Sequence, residues 1–73
     1  MGRIAVVGER TRVAGFALAG VSVFPAEDAA AVRAAWQDLP SGLDLVILTP
    51  AAAQALDPVE LDTPRPLVAV MPR

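Results

Sequence analysis

The chain contains no cysteine, histidine, tyrosine or lysine. Each absence removes a class of chemistry. Without cysteine there are no disulfides and no thiolate metal sites. Without histidine the commonest general base and metal ligand is gone, and without tyrosine the phenolic acid. Without lysine there is neither a Schiff-base amine nor the phosphate-binding amine of a P-loop. All six cations are arginines, Arg3, Arg10, Arg12, Arg33, Arg65 and Arg73, against eight acids and a net charge of −2. No basic stripe exists to neutralise phosphates, which excludes a stable nucleic-acid partner. Long apolar runs are missing too: nothing approaches the ~20 residues of a membrane span. Met1-Gly2-Arg3 and the short apolar run ending at Gly8 do not compose a signal peptide. The expectation is a soluble protein of a reducing compartment.

What remains is a chain of 73 residues, 55% hydrophobic and 19% charged. That balance argues for a packed core and the length for one small domain spanning residues 1–73. A domain of this size buries only about 60% of the surface of its unfolded chain. It is marginal alone, and a partner surface would help it.

Arg3-Ile4-Ala5-Val6-Val7 reads as a strand buried on both faces, stopped by Gly8. Thr11 to Ala19 reads as a short helix capped by Thr11, with Val13, Phe16 and Ala17 on one face. Gly15 inside it implies close backbone packing, and Gly20 ends it. Val21 to Phe24 is a second strand, stopped by Pro25. From Ala26 the pattern turns helical, with Glu27 and Asp28 in the first turn, where the helix dipole favours anions. Ala29, Val32, Trp36 and Leu39 form its apolar stripe, and Pro40-Ser41-Gly42 closes it. Asp44 to Thr49 is a third strand, central because it does not alternate. Thr49-Pro50 then starts a helix over Ala51 to Leu56. Val59 to Thr63 reads equally as a helical turn or a loop. Leu67 to Met71, introduced by Pro64 and Pro66, is the fourth strand.

Strand and helix thus alternate, the signature of a parallel α/β sheet with right-handed crossovers. The expected architecture is a small flavodoxin-like three-layer sandwich: four parallel strands in the order 2-1-3-4 and three helices. In that order the first helix covers one face and the other two helices the opposite face. The third and fourth strands then stay bare on the first face, and an uncovered apolar patch is a partner site or an aggregation hazard.

The reactive inventory is thin. Gly8 to Gly15 lacks both the glycine spacing of a dinucleotide loop and the lysine of a P-loop. A phosphoacceptor site of the receiver-domain kind would need clustered acids and a nearby lysine; here Glu9 stands alone and Thr49-Pro50 ends the third strand. Glu27 and Asp28, adjacent in sequence, point about 100° apart on a helix and make a poor catalytic pair. Ser22 and Ser41 have no histidine to activate them. Trp36 belongs to the core stripe. No catalytic, cofactor or metal residues are expected. The expected contact residues lie at the C-terminal edge of the sheet, where this fold class places ligand and partner loops: Arg10, Arg12, Thr49 and Arg73. The bare face is the other candidate, and strand parity leaves open whether Leu67, Ala69 and Met71 or Val68 and Val70 point to it.

Arg3-Ile4-Ala5-Val6-Val7-Gly8-Glu9-Arg10, followed by Gly15-Phe16-Ala17-Leu18-Ala19-Gly20, resembles the F subunit of V-type (archaeal/bacterial A/V-type) ATPases. That family opens with K/R-I-A-V-I-G-D and carries G-F-x-L-A-G in its first helix. Glu9 stands where aspartate is usual. The similarity extends through Glu27, Asp28, the third strand and Pro66 to Pro72. It implies a non-catalytic component of the central rotor stalk, bound to the shaft (the D subunit) and turning beside the A/B catalytic head. It implies a cytoplasmic location at the membrane periphery, with no membrane insertion. Family members usually continue into a C-terminal helix along the shaft, whereas this sequence stops at Arg73 without one. The alternative, drawn from size and the bare face, is a stand-alone α/β binding or regulatory domain that self-associates. A nucleotide-dependent enzyme would rest on architecture alone.

Overall fold

Three short runs rich in valine, isoleucine and leucine form β1 (Ile4–Gly8), β3 (Leu45–Leu48) and β4 (Leu67–Val70), and Ser22-Val23-Phe24-Pro25 forms β2 (Ser22–Pro25). They are seen in a computed structural model that describes residues 2–62 and 66–72. The strands pair in parallel in the order β2-β1-β3-β4, as the alternation of elements predicts. Pro25 is the last residue of β2 instead of its stop. An edge strand tolerates this, because a missing N–H costs no ladder bond on the solvent side. Between the strands run α1 (Arg10–Val13), α2 (Ala29–Gln37), α3 (Pro50–Gln54) and α4 (Pro58–Leu61). The fourth helix corrects the expected count of three. Asp57 opens it, Pro58 takes its first position, and the Asp57 N–H donates to Glu60 Oε1 at 3.2 Å. Those are the features of a helix start.

The core lies between the sheet and α2, α3 and α4. Ala5, Val7, Val46 and Leu48 project into it with Val32, Ala52 and Leu56, and Phe24, Trp36, Leu39 and Val68 pack around them. α2 starts later than the apolar pattern suggests. Asp28 is its N-cap, accepting from Ala31 N at 2.7 Å. Its inward side is formed by Ala31, Val32, Ala35, Trp36 and Leu39, whereas Ala29 is exposed. Arg33, Ala34 and Gln37 face solvent.

The other face is covered only over β1 and β2, by α1 and the 3-10 segment Ala14–Ala19 that continues it. One nine-residue helix was the expectation; the chain instead tightens after Val13. Three residues per turn keeps Phe16, half-buried, in line with the fully buried Val13 and swings Ala17 outward. Thr11 does not cap this unit, because the helix already starts at Arg10. Gly20 ends the segment at φ 78°, the left-handed region where glycine carries no steric penalty. Gly15 has nothing within 4 Å of where a side chain would begin, so close packing does not account for it.

Parity on β4 is settled: Val68 packs into the core, which turns Leu67 and Ala69 to the opposite face. Leu67 is 62% exposed. The strand register places Leu67 beside Leu45 and Ala69 beside Ile47, so the bare face of β3 and β4 is a continuous apolar strip.

The two glycines should respond oppositely to alanine. Gly15→Ala, at an open position with ordinary φ, should stabilise the chain by about 0.5 kcal/mol. Gly20→Ala should destabilise it by roughly 1 kcal/mol. Urea-unfolding midpoints of the two variants check both.

Candidate partner-docking surface

At the C-terminal edge of the sheet one side chain sets the geometry. Thr49 follows β3 and is fully buried. Its N–H donates to Val7 O at 3.1 Å, which extends the β1–β3 ladder. Its Oγ1 accepts from Ala52 N at 3.3 Å and so caps α3. The same hydroxyl donates to Glu9 Oε1 at 2.5 Å, a charge-assisted bond across the crevice between β1 and β3. Gly8 makes this possible. A Cβ there would overlap the Thr49 side chain, standing 2.9 Å from its Cβ. Thr49, expected among the contact residues, is therefore out of a partner's reach. Its contribution to this edge is to fix the Glu9 carboxylate.

Glu9 answers electrostatically. The Thr49 hydroxyl, then its own backbone and the Arg12 guanidinium, hold its carboxyl below the ordinary 4.5, against a small opposing effect of desolvation. With Glu9 engaged there, the first N–H of α1 needs another acceptor. Glu27 supplies it: Arg10 N donates to Glu27 Oε2 at 2.7 Å. Glu27 thus serves the helix before it, not the first turn of the helix after it. That link joins residues 17 apart in sequence, and no local pattern signals it. Glu9 is the engaged acid that sequence reasoning left without a role, and Glu27 the one it assigned to the wrong helix. The one available hint was Glu9's place directly after the glycine that ends β1.

Arg10 and Arg12 are both exposed. Arg12 Nη2 donates to Pro72 O at 3.2 Å and so reaches from α1 to the residues leaving β4. The structure brings Arg10, Arg12 and the exit of β4 to one edge, as the strand order implies. Arg73 lies outside the described residues. Beside this edge a crevice of about 250 Å³ is lined by Glu9, Glu27, Asp28 and a set of alanines. Its carboxylates would repel a phosphate. Among the described residues no group of His, Cys, Asp and Glu is arranged to hold a metal ion. A larger cavity of about 590 Å³ opens at the other end of the sheet, between Trp36, Leu43, Glu60 and Pro66. The chemistry on offer is contact: an apolar strip on one face and an arginine-bearing edge above it.

Residues 4–73 match the family model described as the ATP synthase (F/14-kDa) subunit. Among proteins of curated function none matches the sequence significantly. Among solved structures, the F subunit of the V-type ATP synthase from Archaeoglobus fulgidus superposes with a TM-score of 0.82 at 24% identity, over 97% of this chain and 98% of that one.

Thr49→Val keeps the buried shape but removes both the cap and the Glu9 bond, and should cost about 2 kcal/mol in urea unfolding. Because the Glu9 pKa is lowered by folding, its contribution is complete above the ordinary 4.5 and is lost as pH falls through the folded value. Stability of Glu9→Gln should therefore decline less than that of the parent chain as the pH is lowered from 6 to about 3.

Proposed function

The chain belongs to the family of the ATP synthase (F/14-kDa) subunit, a non-catalytic part of the rotary ATPase, and from that premise we propose that it serves on the central stalk of a V-type enzyme, bound to the shaft. The observation that carries this reading is the family match over residues 4–73 on a sheet of order 2-1-3-4. The inventory of groups supports it from another side. A chain without lysine, histidine or cysteine, and with acids lining its edge crevice, is equipped to dock and not to transform a nucleotide. In this reading the protein turns with the shaft while the A/B head hydrolyses or makes ATP, and it supports the coupling of that cycle to ion transport. Among the described residues no helix is long and apolar enough to cross a membrane. The proposed place is accordingly the cytoplasmic periphery of the membrane, within the complex. Arg10, Arg12 and Arg73 are the proposed contacts at the edge of the sheet.

Co-expression with the cognate shaft protein should give a stable one-to-one complex by size exclusion with light scattering. A folded chain that elutes apart from a folded shaft overturns the reading.

A further inference from the structure

Two features of the bare face say what covers it. The first is its shape. Beyond α1 the strip is two strands wide, β3 and β4, with Leu45 and Ile47 beside Leu67 and Ala69. Two strand spacings are about 10 Å, the width of a single α-helix. On the opposite face helices pack over the same strands; on this one the layer holds α1 and its 3-10 extension, followed by an open slot one helix wide. The floor of the slot is apolar: Leu45 pairs with Leu67 and Ile47 with Ala69, and Ile4 and the fully buried Val6 of β1 continue these rows toward the α1 layer.

The second feature is charge. α1 and the 3-10 segment with their caps carry Arg10 and Arg12 against Glu9, whose carboxylate is bonded to the Thr49 hydroxyl. In the opposite layer, α2 to α4 with their caps carry Asp28, Asp38, Asp57, Glu60 and Asp62 against Arg33. Arg12, bonded to Pro72 O, crosses the C-terminal margin of the slot. A second copy of the chain laid on the slot would bring its own arginine-bearing layer, with its helix acids on the far side. An acidic helix fits both the apolar floor and the cationic margin.

We propose that this slot receives one amphipathic α-helix of the shaft, lying over β3 and β4 with an apolar stripe on Ile47, Leu67 and Ala69 and an aspartate or glutamate beside Arg12. The proposal rests on the rotor-stalk reading above and locates the contact within it. It adds to the edge residues a face that completes the sandwich from outside.

The test is the affinity of the full chain for the cognate shaft protein, measured by titration calorimetry, with circular dichroism and a urea midpoint for each variant. Ala69→Glu sets a carboxylate in the middle of the slot and should weaken binding about 100-fold. Leu67→Glu, at a position already 62% exposed, keeps the test open should Ala69→Glu unfold, and should have a similar effect. Arg12→Glu should weaken binding roughly 10-fold at low salt, with recovery when one acid of the shaft helix is changed to arginine. Val59→Glu is the control: the same chemistry on α4, at a residue 84% exposed in the opposite layer, should leave affinity unchanged. Wild-type binding that survives both slot variants overturns the proposal and leaves the rotor-stalk reading standing. A wild-type chain that does not bind the shaft overturns both. A homodimer, seen by sedimentation and dissolved by Leu67→Glu, makes the occupant a second copy and overturns the proposal as well.

Discussion

The contact between Gly8 and Thr49 is the constraint from which the working edge follows. Two adjacent parallel strands end side by side, and the second must turn at once into a helix. A threonine there can serve the ladder through its N–H and the new helix through its hydroxyl, provided it is driven into the gap between the strands. Only a residue without a side chain on the neighbouring strand leaves that gap. Once Thr49 is seated, its hydroxyl proton points at Glu9, and Glu9 is lost to its own helix as a cap. Glu27 takes over that duty from beyond β2. A sequence of local satisfactions thus ties β1, α1, β3, α3 and the approach to α2 into one edge. It also explains why the edge carries arginines outward: the acids there are turned to internal bonds.

The layers divide the remaining labour. The layer of α2, α3 and α4 supplies the helical part of the hydrophobic core and most of the acids. The layer of α1 supplies a short, partly 3-10 cover, so the sheet is closed on one side and half-closed on the other. In a chain this small the half-closed side withholds a sizeable part of the apolar burial available to a three-layer sandwich. Leu67, at 62% exposed, is the visible form of that shortfall. Membership of a family that works inside a larger assembly makes physical sense of it, because surface left uncovered by the chain itself is available to its neighbours.

Much of this was legible from residue order. Unalternating β-branched runs such as Val46-Ile47-Leu48 predict buried parallel strands, and the glycine and proline punctuation between them predicts the crossovers. Strand order, and with it the bare face, is that of the flavodoxin-like arrangement expected for such an alternation, and the hexad Gly15 to Gly20 points to the family. The losses have one cause. Sequence patterns report neighbours along the chain, whereas the bonds from Arg10 to Glu27 and from Thr49 to Glu9 join residues 17 and 40 positions apart. Thr49 therefore resembled an exposed edge residue when it is the most deeply held polar group of that edge. Gly15 resembled a packing glycine because a regular helix was assumed around it, and the tighter winding after Val13 removes the neighbour it was expected to meet. Val59 to Thr63, of which Thr63 lies outside the described residues, reads both ways because a single turn is too short to show a period.

Trp36 is the one tryptophan of the chain, and there is no tyrosine. It sits on α2, against the core and beside the open cavity, in the layer opposite the apolar strip. Ultraviolet emission excited at long wavelength thus comes from a single half-buried indole packed against the core. The molecule carries its own optical gauge of integrity, built into the covered side of its sheet.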